Sequence, residues 1–210
     1  MTEQLDTWRG TFGREYTERN IVDWRSRLPA FREALQGLRI DHVLEVGCNR
    51  GHNLVAISDL CGPETRVVGV EPATYAAGIA RSETGLKGIL LGQALALPFT
   101  DHVFDLVFTA GVLIHIPLSQ LPSALAEIYR VSRRYILAVE YFAEEETLIA
   151  YRGHTDLLWK RNFKEHFESL FPELHLVRSG HWNRSDGFEQ TTWWLFEKPQ
   201  NTNGLEAAHI

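Results

Sequence analysis

The chain has 210 residues, 44% of them hydrophobic and 23% charged, with a formal net charge of -6. That length and balance suit one globular domain with a full core. The acidic charge and the absence of any Lys/Arg run argue against a nucleic-acid substrate, and no apolar run is long enough for a membrane span.

The N-terminal stretch to Leu38 reads as helical, with Trp24, Leu28, Phe31 and Leu35 at helix spacing. Its polar start is not a signal peptide, so a cytoplasmic location is expected. A buried strand follows over 40–46 and ends at Gly47, then a helix over 53–61. A second strand over 66–70 ends at Glu71-Pro72. A small-residue helix is expected over 76–81 and a third strand over 88–91. A fourth strand spans 104–109. Ser119 is expected to cap a helix running to Arg130, and a fifth strand spans 135–139. An amphipathic helix is predicted over 158–171, with Phe163, Phe167, Leu170 and Phe171 inward. Two last strands, 175–178 and 191–197, precede a polar tail.

Alternating strands and helices predict an α/β fold, a Rossmann-like, doubly wound, mostly parallel seven-stranded sheet in a single domain. The expected layout is an N-terminal helical lid over 1–38, the main domain over 39–198 and a flexible tail over 199–210. Cys48 and Cys61 lack zinc-site spacing and are expected to be reduced, buried thiols. No metal site is expected.

Ligands of such a sheet bind at the carboxyl ends of its strands. The segment Val43-Leu-Glu-Val-Gly-Cys-Asn-Arg-Gly-His-Asn53 lies at the first such end. Gly47 and Gly51 permit a tight turn and close backbone approach to a ligand. Glu71, at the end of the second strand, is placed to accept both hydroxyls of a ribose. The nicotinamide fingerprint G-x-G-x-x-G cradles a pyrophosphate. Here the spacing is G-x-x-x-G, and Glu45 lies two residues before it. A carboxylate repels a pyrophosphate but suits a sulfonium cofactor that carries an α-ammonium group. The pattern therefore favours S-adenosylmethionine over a nicotinamide dinucleotide.

Together with the later segment Leu97-Pro-Phe-Thr-Asp-His-Val-Phe-Asp-Leu-Val107, these residues resemble the class I S-adenosylmethionine-dependent methyltransferases, over about 43–139. The resemblance implies that Glu45, Gly47 and Gly51 line the methionine end, with Cys48, Asn49 and Asn53 in the same loop. It implies that Glu71 and Pro72 hold the ribose and that Gln93, Ala94 and Leu95 border the adenine. Members commonly have Asp where Gln93 stands; Gln offers the adenine amino group a carbonyl without the charge. Thr109, Ala110 and Gly111 would lie under the methyl group. A narrower likeness covers the two ends. Phe12-Gly-Arg-Glu-Tyr-Thr-Glu-Arg-Asn20 and Tyr151-Arg-Gly-His-Thr-Asp-Leu-Leu-Trp-Lys-Arg-Asn-Phe163 are similar to methylases assigned to pseudaminic acid biosynthesis.

An activated methyl group needs mainly an aligned nucleophile and the exclusion of water. A base is required where the acceptor holds a proton. His115 is the candidate base; the alternative is a packing histidine bonded to backbone. Tyr16, Arg19 and Asn20 form either a lid over the cofactor or an ordinary exposed helix face. Tyr141 lines the acceptor pocket or packs. Arg152, His154, Lys160 and Arg161 either bind an anionic acceptor or form a solvated charged face. Trp159, Trp182, Trp193 and Trp194 stack on a ring substrate or belong to the core. The expected activity is methyl transfer to a small polar, anionic metabolite, a sugar acid or natural-product intermediate. Oxygen is favoured over nitrogen or carboxylate. The alternative is a catalytically silent cofactor-binding regulatory or scaffold subunit. The expected partner is the small-molecule substrate, with no nucleic acid and no membrane, and a homodimer stays open.

Overall fold

A computed structural model describes residues 3–199. Five parallel strands alternate with helices: β1 (His42–Val46), β2 (Arg66–Glu71), β3 (Ile89–Leu91), β4 (Phe104–Ala110) and β5 (Ser132–Glu140). Two short strands, β6 (Thr147–Leu148) and β7 (Trp159–Lys160), form a separate antiparallel ribbon. The last two strands, β8 (His175–Trp182) and β9 (Thr191–Glu197), complete the main sheet in the order β3-β2-β1-β4-β5-β9-β8. β9 runs antiparallel to both neighbours. The result is the expected seven-stranded, mostly parallel, Rossmann-like sheet.

The helices are α1 (Glu3–Arg9), α2 (Thr11–Arg19), α3 (Leu28–Leu35), α4 (His52–Cys61), α5 (Thr74–Thr84), α6 (Leu121–Val131) and α7 (Phe163–Leu170). Successive strand residues face opposite layers. Leu106 and Phe108 join one apolar cluster with Phe31, Leu54 and Ile57. Val107 joins the other with Leu125, Phe163 and Phe167. The same alternation sends Trp193 into the first cluster and Trp194 into the second, and Trp182 packs beside Trp193. These three tryptophans are core; Trp159 is half-buried under the Arg161 guanidinium. Covering both faces explains why the parallel strands read as unbroken apolar runs.

Several local expectations change. Ser119 does not cap α6: Gln120 holds the cap position without a side-chain bond, and Pro122 occupies the first turn. A backbone turn on the Pro117 carbonyl takes the cap's place. The helix expected over 158–171 is shortened to α7, because Trp159–Lys160 pairs with Thr147–Leu148 and Asn162 caps the helix on the Glu165 amide. Leu170, the last residue of α7, is exposed rather than inward. Cys48 is buried as expected, but Cys61, at the end of α4, is exposed. Of the expected tail, residues 200–210 lie outside the described residues. Among the described residues, no helix is long and apolar enough to cross a membrane.

Candidate active site

A cavity of about 550 Å³ opens at the carboxyl ends of the central strands. Small-molecule sites typically fall in the range of ~300–1,000 Å³. Its floor is the turn between β1 and α4. Gly47, Asn49 and Gly51 take φ values of 76°, 43° and 74°. The Gly47 and Cys48 amides reach back to the Val70 carbonyl at 2.7 and 3.1 Å. A Cβ on Gly47 would stand 2.5 Å from Cγ2 of Val112, so the β4 loop can close on this turn only over a glycine.

Two carboxylates stand at the strand ends. Glu71 closes β2 and accepts the Asn49 and Ala73 amides, each at 2.9 Å. Burial pushes its carboxyl up to about 6 against those bonds. Glu45 is 1% exposed. One of its oxygens accepts the Asn53 side-chain amide at 2.6 Å, and the other is buried without a partner. Burial pushes Glu45 up to about 8, although Asn53 and Arg27 draw it down. That second oxygen is a buried polar atom beside the chamber, left without the partner such groups normally have.

A third carboxylate, Glu140, ends β5 and is fully buried. It accepts backbone amides of Val112, Leu113 and Ile114 at 3.1–3.3 Å. It thereby holds the one-turn 3₁₀ helix Leu113–His115 that follows β4. Burial raises this carboxyl to about 7. Arg161 fixes the same turn from the far side, donating to the Ile116 carbonyl at 2.7 Å and to the Glu146 carboxylate.

His115 lines the cavity at the end of that turn. Its Nδ1 meets the Leu157 carbonyl, which can only accept, so Nδ1 carries the proton. Burial lowers the imidazole to about 4. The ring is therefore neutral near pH 7, with Nε2 as its proton acceptor. Trp8 packs on one side of the ring with centroids 4.5 Å apart, and Tyr151 lies at 5.8 Å.

The N-terminal helices cover the chamber. α1 reaches it through Trp8, and Gln4 donates to the His115 carbonyl. α2 sits on the cofactor-side turn: Asn49 reaches the Thr17 hydroxyl at 3.3 Å and Arg50 the Thr17 carbonyl at 3.0 Å. Tyr16 lines the cavity, and burial pushes its phenol up to about 12. Arg19 lines it as well and pairs with Glu15 at 3.5 Å. Asn20 also reaches it.

Most of the residues singled out in the sequence meet here. Glu45, Gly47, Cys48, Asn49 and Asn53 line the cavity from β1 and α4; Glu71 and Pro72 line it from β2. Gln93, Ala94 and Leu95 form the wall after β3, and Ala110 and Gly111 the wall after β4. Tyr141 lines it and donates its hydroxyl to Glu189; Arg152 lines it at the mouth. Gly51 is buried behind the turn against Thr84, and Thr109, 2% exposed, does not reach the cavity.

The expected basic cluster does not assemble. Arg161 is 1% exposed and spent on the His115 turn. Lys160 lies over the Tyr141 ring at 5.9 Å, outside the cavity. His154 packs edge-on against Phe12 at 5.1 Å. Only Arg152 of that set lines the chamber.

Sequence reasoning missed Trp8, Arg27, Glu140, Arg184, Phe188 and Glu189. Trp8, Phe12 and Tyr16 recur every fourth residue, a stripe that pointed to Trp8. The pairing of Glu140 with a distant loop has no local signal. Among the described residues, no group of His, Cys, Asp or Glu is arranged to hold a metal.

Residues 44–135 match the model of a methyltransferase domain family. Over 106 residues the chain is 36% identical to an uncharacterized methyltransferase of Schizosaccharomyces pombe, covering 45% of this chain and 37% of that protein. Over 97 residues it is 30% identical to the demethylmenaquinone methyltransferase of Symbiobacterium thermophilum, covering 43% and 38%. The matches thus span well under half the length of these relatives. A SAM-dependent methyltransferase from Aquifex aeolicus superposes with a TM-score of 0.64 at 17% identity, covering 88% of this chain and 98% of that one. The 1,6-didemethyltoxoflavin-N1-methyltransferase of Burkholderia thailandensis, solved with bound 1,6-didemethyltoxoflavin and S-adenosylhomocysteine, gives a TM-score of 0.63 at 17% identity, covering 90% of this chain and 83% of that one. The chain thus matches a methyltransferase domain model over 44–135 and has the fold of the class I S-adenosylmethionine-dependent methyltransferases.

Proposed function

We propose that this chain transfers the methyl group of S-adenosylmethionine to a hydroxyl oxygen of a small polar metabolite. One observation carries the reading. A single chamber is lined both by Glu45, Gly47 and Glu71 in a first half and by His115 in a second, and the Leu157 carbonyl holds the His115 proton on Nδ1, which leaves Nε2 free of one. In the first half Glu45 faces the α-ammonium group, Glu71 the ribose and Gln93 the adenine. In the second half the bound cofactor supplies an activated methyl group. Neutral His115 accepts the hydroxyl proton at Nε2 as the acceptor oxygen is alkylated. Trp8 and Tyr16 close the chamber from the N-terminal lid and keep water away. A base held near 4 is already unprotonated at neutral pH, so its protonation does not limit turnover above about pH 5.

An anionic acceptor, a sugar acid or natural-product intermediate, remains the favoured class. Arg152 and Arg184 line the mouth, and the likeness of the chain ends to the pseudaminic acid-associated methylases supports it. Titration calorimetry with S-adenosylmethionine and S-adenosylhomocysteine is the first test; saturable binding of both is expected, and no binding of either defeats the reading. A mass-spectrometric screen of hydroxylated acids then looks for products heavier by one methylene. Binding without turnover on any acceptor would favour a silent cofactor-binding subunit.

A further inference from the structure

Arg27 ends a 3₁₀ turn (Trp24–Arg27) between the lid and α3 and lines the chamber, distant in sequence from both Asn53 and the loop 184–189. Its guanidinium is nevertheless shared between them. Nη1 donates to the Asn53 side-chain carbonyl at 2.5 Å, and Asn53 donates in turn to Glu45 at 2.6 Å. Nε donates to the Gly187 carbonyl at 3.0 Å, and the guanidinium plane covers the Phe188 ring at 4.5 Å. Gly187 has φ 77°, and a Cβ there would strike Ser26 and Arg27, so the loop is seated directly on this turn. Phe188 and Glu189 form the acceptor-side wall, and Glu189 accepts the Tyr141 hydroxyl.

The chain of contacts Glu45–Asn53–Arg27–Gly187 is continuous, and each guanidinium donor in it is committed to one neighbour. A rigid fork of this kind transmits position because moving one acceptor costs the bond to the other. We infer that Arg27 is a positioning residue that ties the cofactor carboxylate Glu45 to the loop 184–189, so that seating the cofactor orders the wall against which the acceptor lies. The inference rests on the cofactor reading above and adds an order to binding: cofactor first, acceptor second. When the α-ammonium group meets the free oxygen of Glu45, the charge on Glu45 tightens its bond to Asn53. Asn53 is then fixed against Arg27, and Arg27 against Gly187 and Phe188.

Hydrogen exchange of the full chain, with and without S-adenosylhomocysteine, tests this, each protein being compared with its own ligand-free state. In the wild type the ligand is expected to slow exchange of amides 184–189 by about tenfold. In Arg27→Met that ratio should fall to about one while calorimetry still shows saturable binding. Asn53→Ala leaves the Arg27–Gly187 bond in place yet should also lose the ligand-dependent protection; it decides the matter if Arg27→Met does not fold. Undiminished protection in the variants overturns the inference, as does a wild type that binds ligand without protecting the loop. A wild type that binds no ligand overturns the cofactor reading with it, and the calorimetry on the same samples tells the two failures apart.

Discussion

The free oxygen of Glu45 predicts a proton-linked cofactor affinity. Without ligand the carboxyl is held at about 8 by burial. At about pH 7 only roughly one molecule in ten then carries the charge. A bound α-ammonium group demands the charged form, so binding near pH 7 expels close to one proton (about 0.9). Affinity for S-adenosylhomocysteine should rise about tenfold per pH unit from roughly 6 to 8 and level off above. The sign for stability is opposite. A carboxyl raised in the folded state favours the ligand-free fold fully below its unfolded value. That contribution is lost as pH rises through about 8. Ligand should therefore raise the melting temperature more at about pH 8 than at about pH 6. Calorimetry in two buffers of different ionisation enthalpy reads the proton count directly. Glu45→Gln keeps an acceptor for Asn53 but has no proton to release, so its affinity should be flat with pH between about 7 and 8, where Glu71 is already charged. A wild type with no proton release and no slope between about pH 6 and 8 would refute the assignment of Glu45 to the ammonium group.

Other perturbations follow from the same geometry. Glu71→Ala should weaken S-adenosylhomocysteine binding by about 1–3 kcal/mol, through lost ribose hydroxyl contacts and loosened Asn49 and Ala73 amides; unchanged affinity on an intact fold removes Glu71 from the site. Gly47→Ala places a Cβ against Val112 and forces a left-handed alanine, which costs about 1–2 kcal/mol from the backbone alone; a denaturant midpoint equal to wild type would show that the loop yields freely. Arg161→Met strips donors from the Ile116 carbonyl and a partner from Glu146, and should cost about 2–4 kcal/mol in denaturant unfolding. A loss below about 0.5 kcal/mol would instead return Arg161 to the solvated surface expected of ordinary charged residues.

The strands of the parallel sheet were legible because burial on both faces writes them as β-branched, apolar runs bounded by Gly or Pro. β1, β2 and β4 shift by only a residue or two from their predicted ends. The region after β5 was not legible in the same way. Phe163 and Phe167 signal a helix, and the apolar residues upstream extend that signal falsely to Leu158. What stops it is the pairing of Trp159–Lys160 with a partner more than ten residues earlier, a contact with no periodic trace. Asn162 was the available signal, a good N-cap placed just before the true start. The charged cluster failed for a related reason. Arg152, His154, Lys160 and Arg161 are close in sequence, but a ribbon and a helix start point them in different directions. The one that matters most to the site, Arg161, acts from the core.

Glu140 shows why the His115 side of the chamber was read less completely than the Glu45 side. Its partners are set by the β4–β5 register, in which Ala110 lies beside Val139. That register carries Glu140 past the end of the strand pair, under the amides of the turn that bears His115. Nothing local to Glu140 distinguishes it from any acidic residue at a strand end. The cofactor half, by contrast, comes from consecutive strand ends along one stretch of chain, and the methyltransferase domain match covers that stretch, 44–135. His115 falls inside it. Trp8, Tyr16, Arg27, Tyr141, Arg152 and Glu189 fall outside, in the N-terminal helices and in the segments after β5. On the function proposed above, most of the residues that would meet the acceptor therefore lie outside the matched stretch. Swapping the segment 151–154, which carries Arg152, between related chains should change which acceptor is methylated while leaving the affinity for S-adenosylhomocysteine near its starting value.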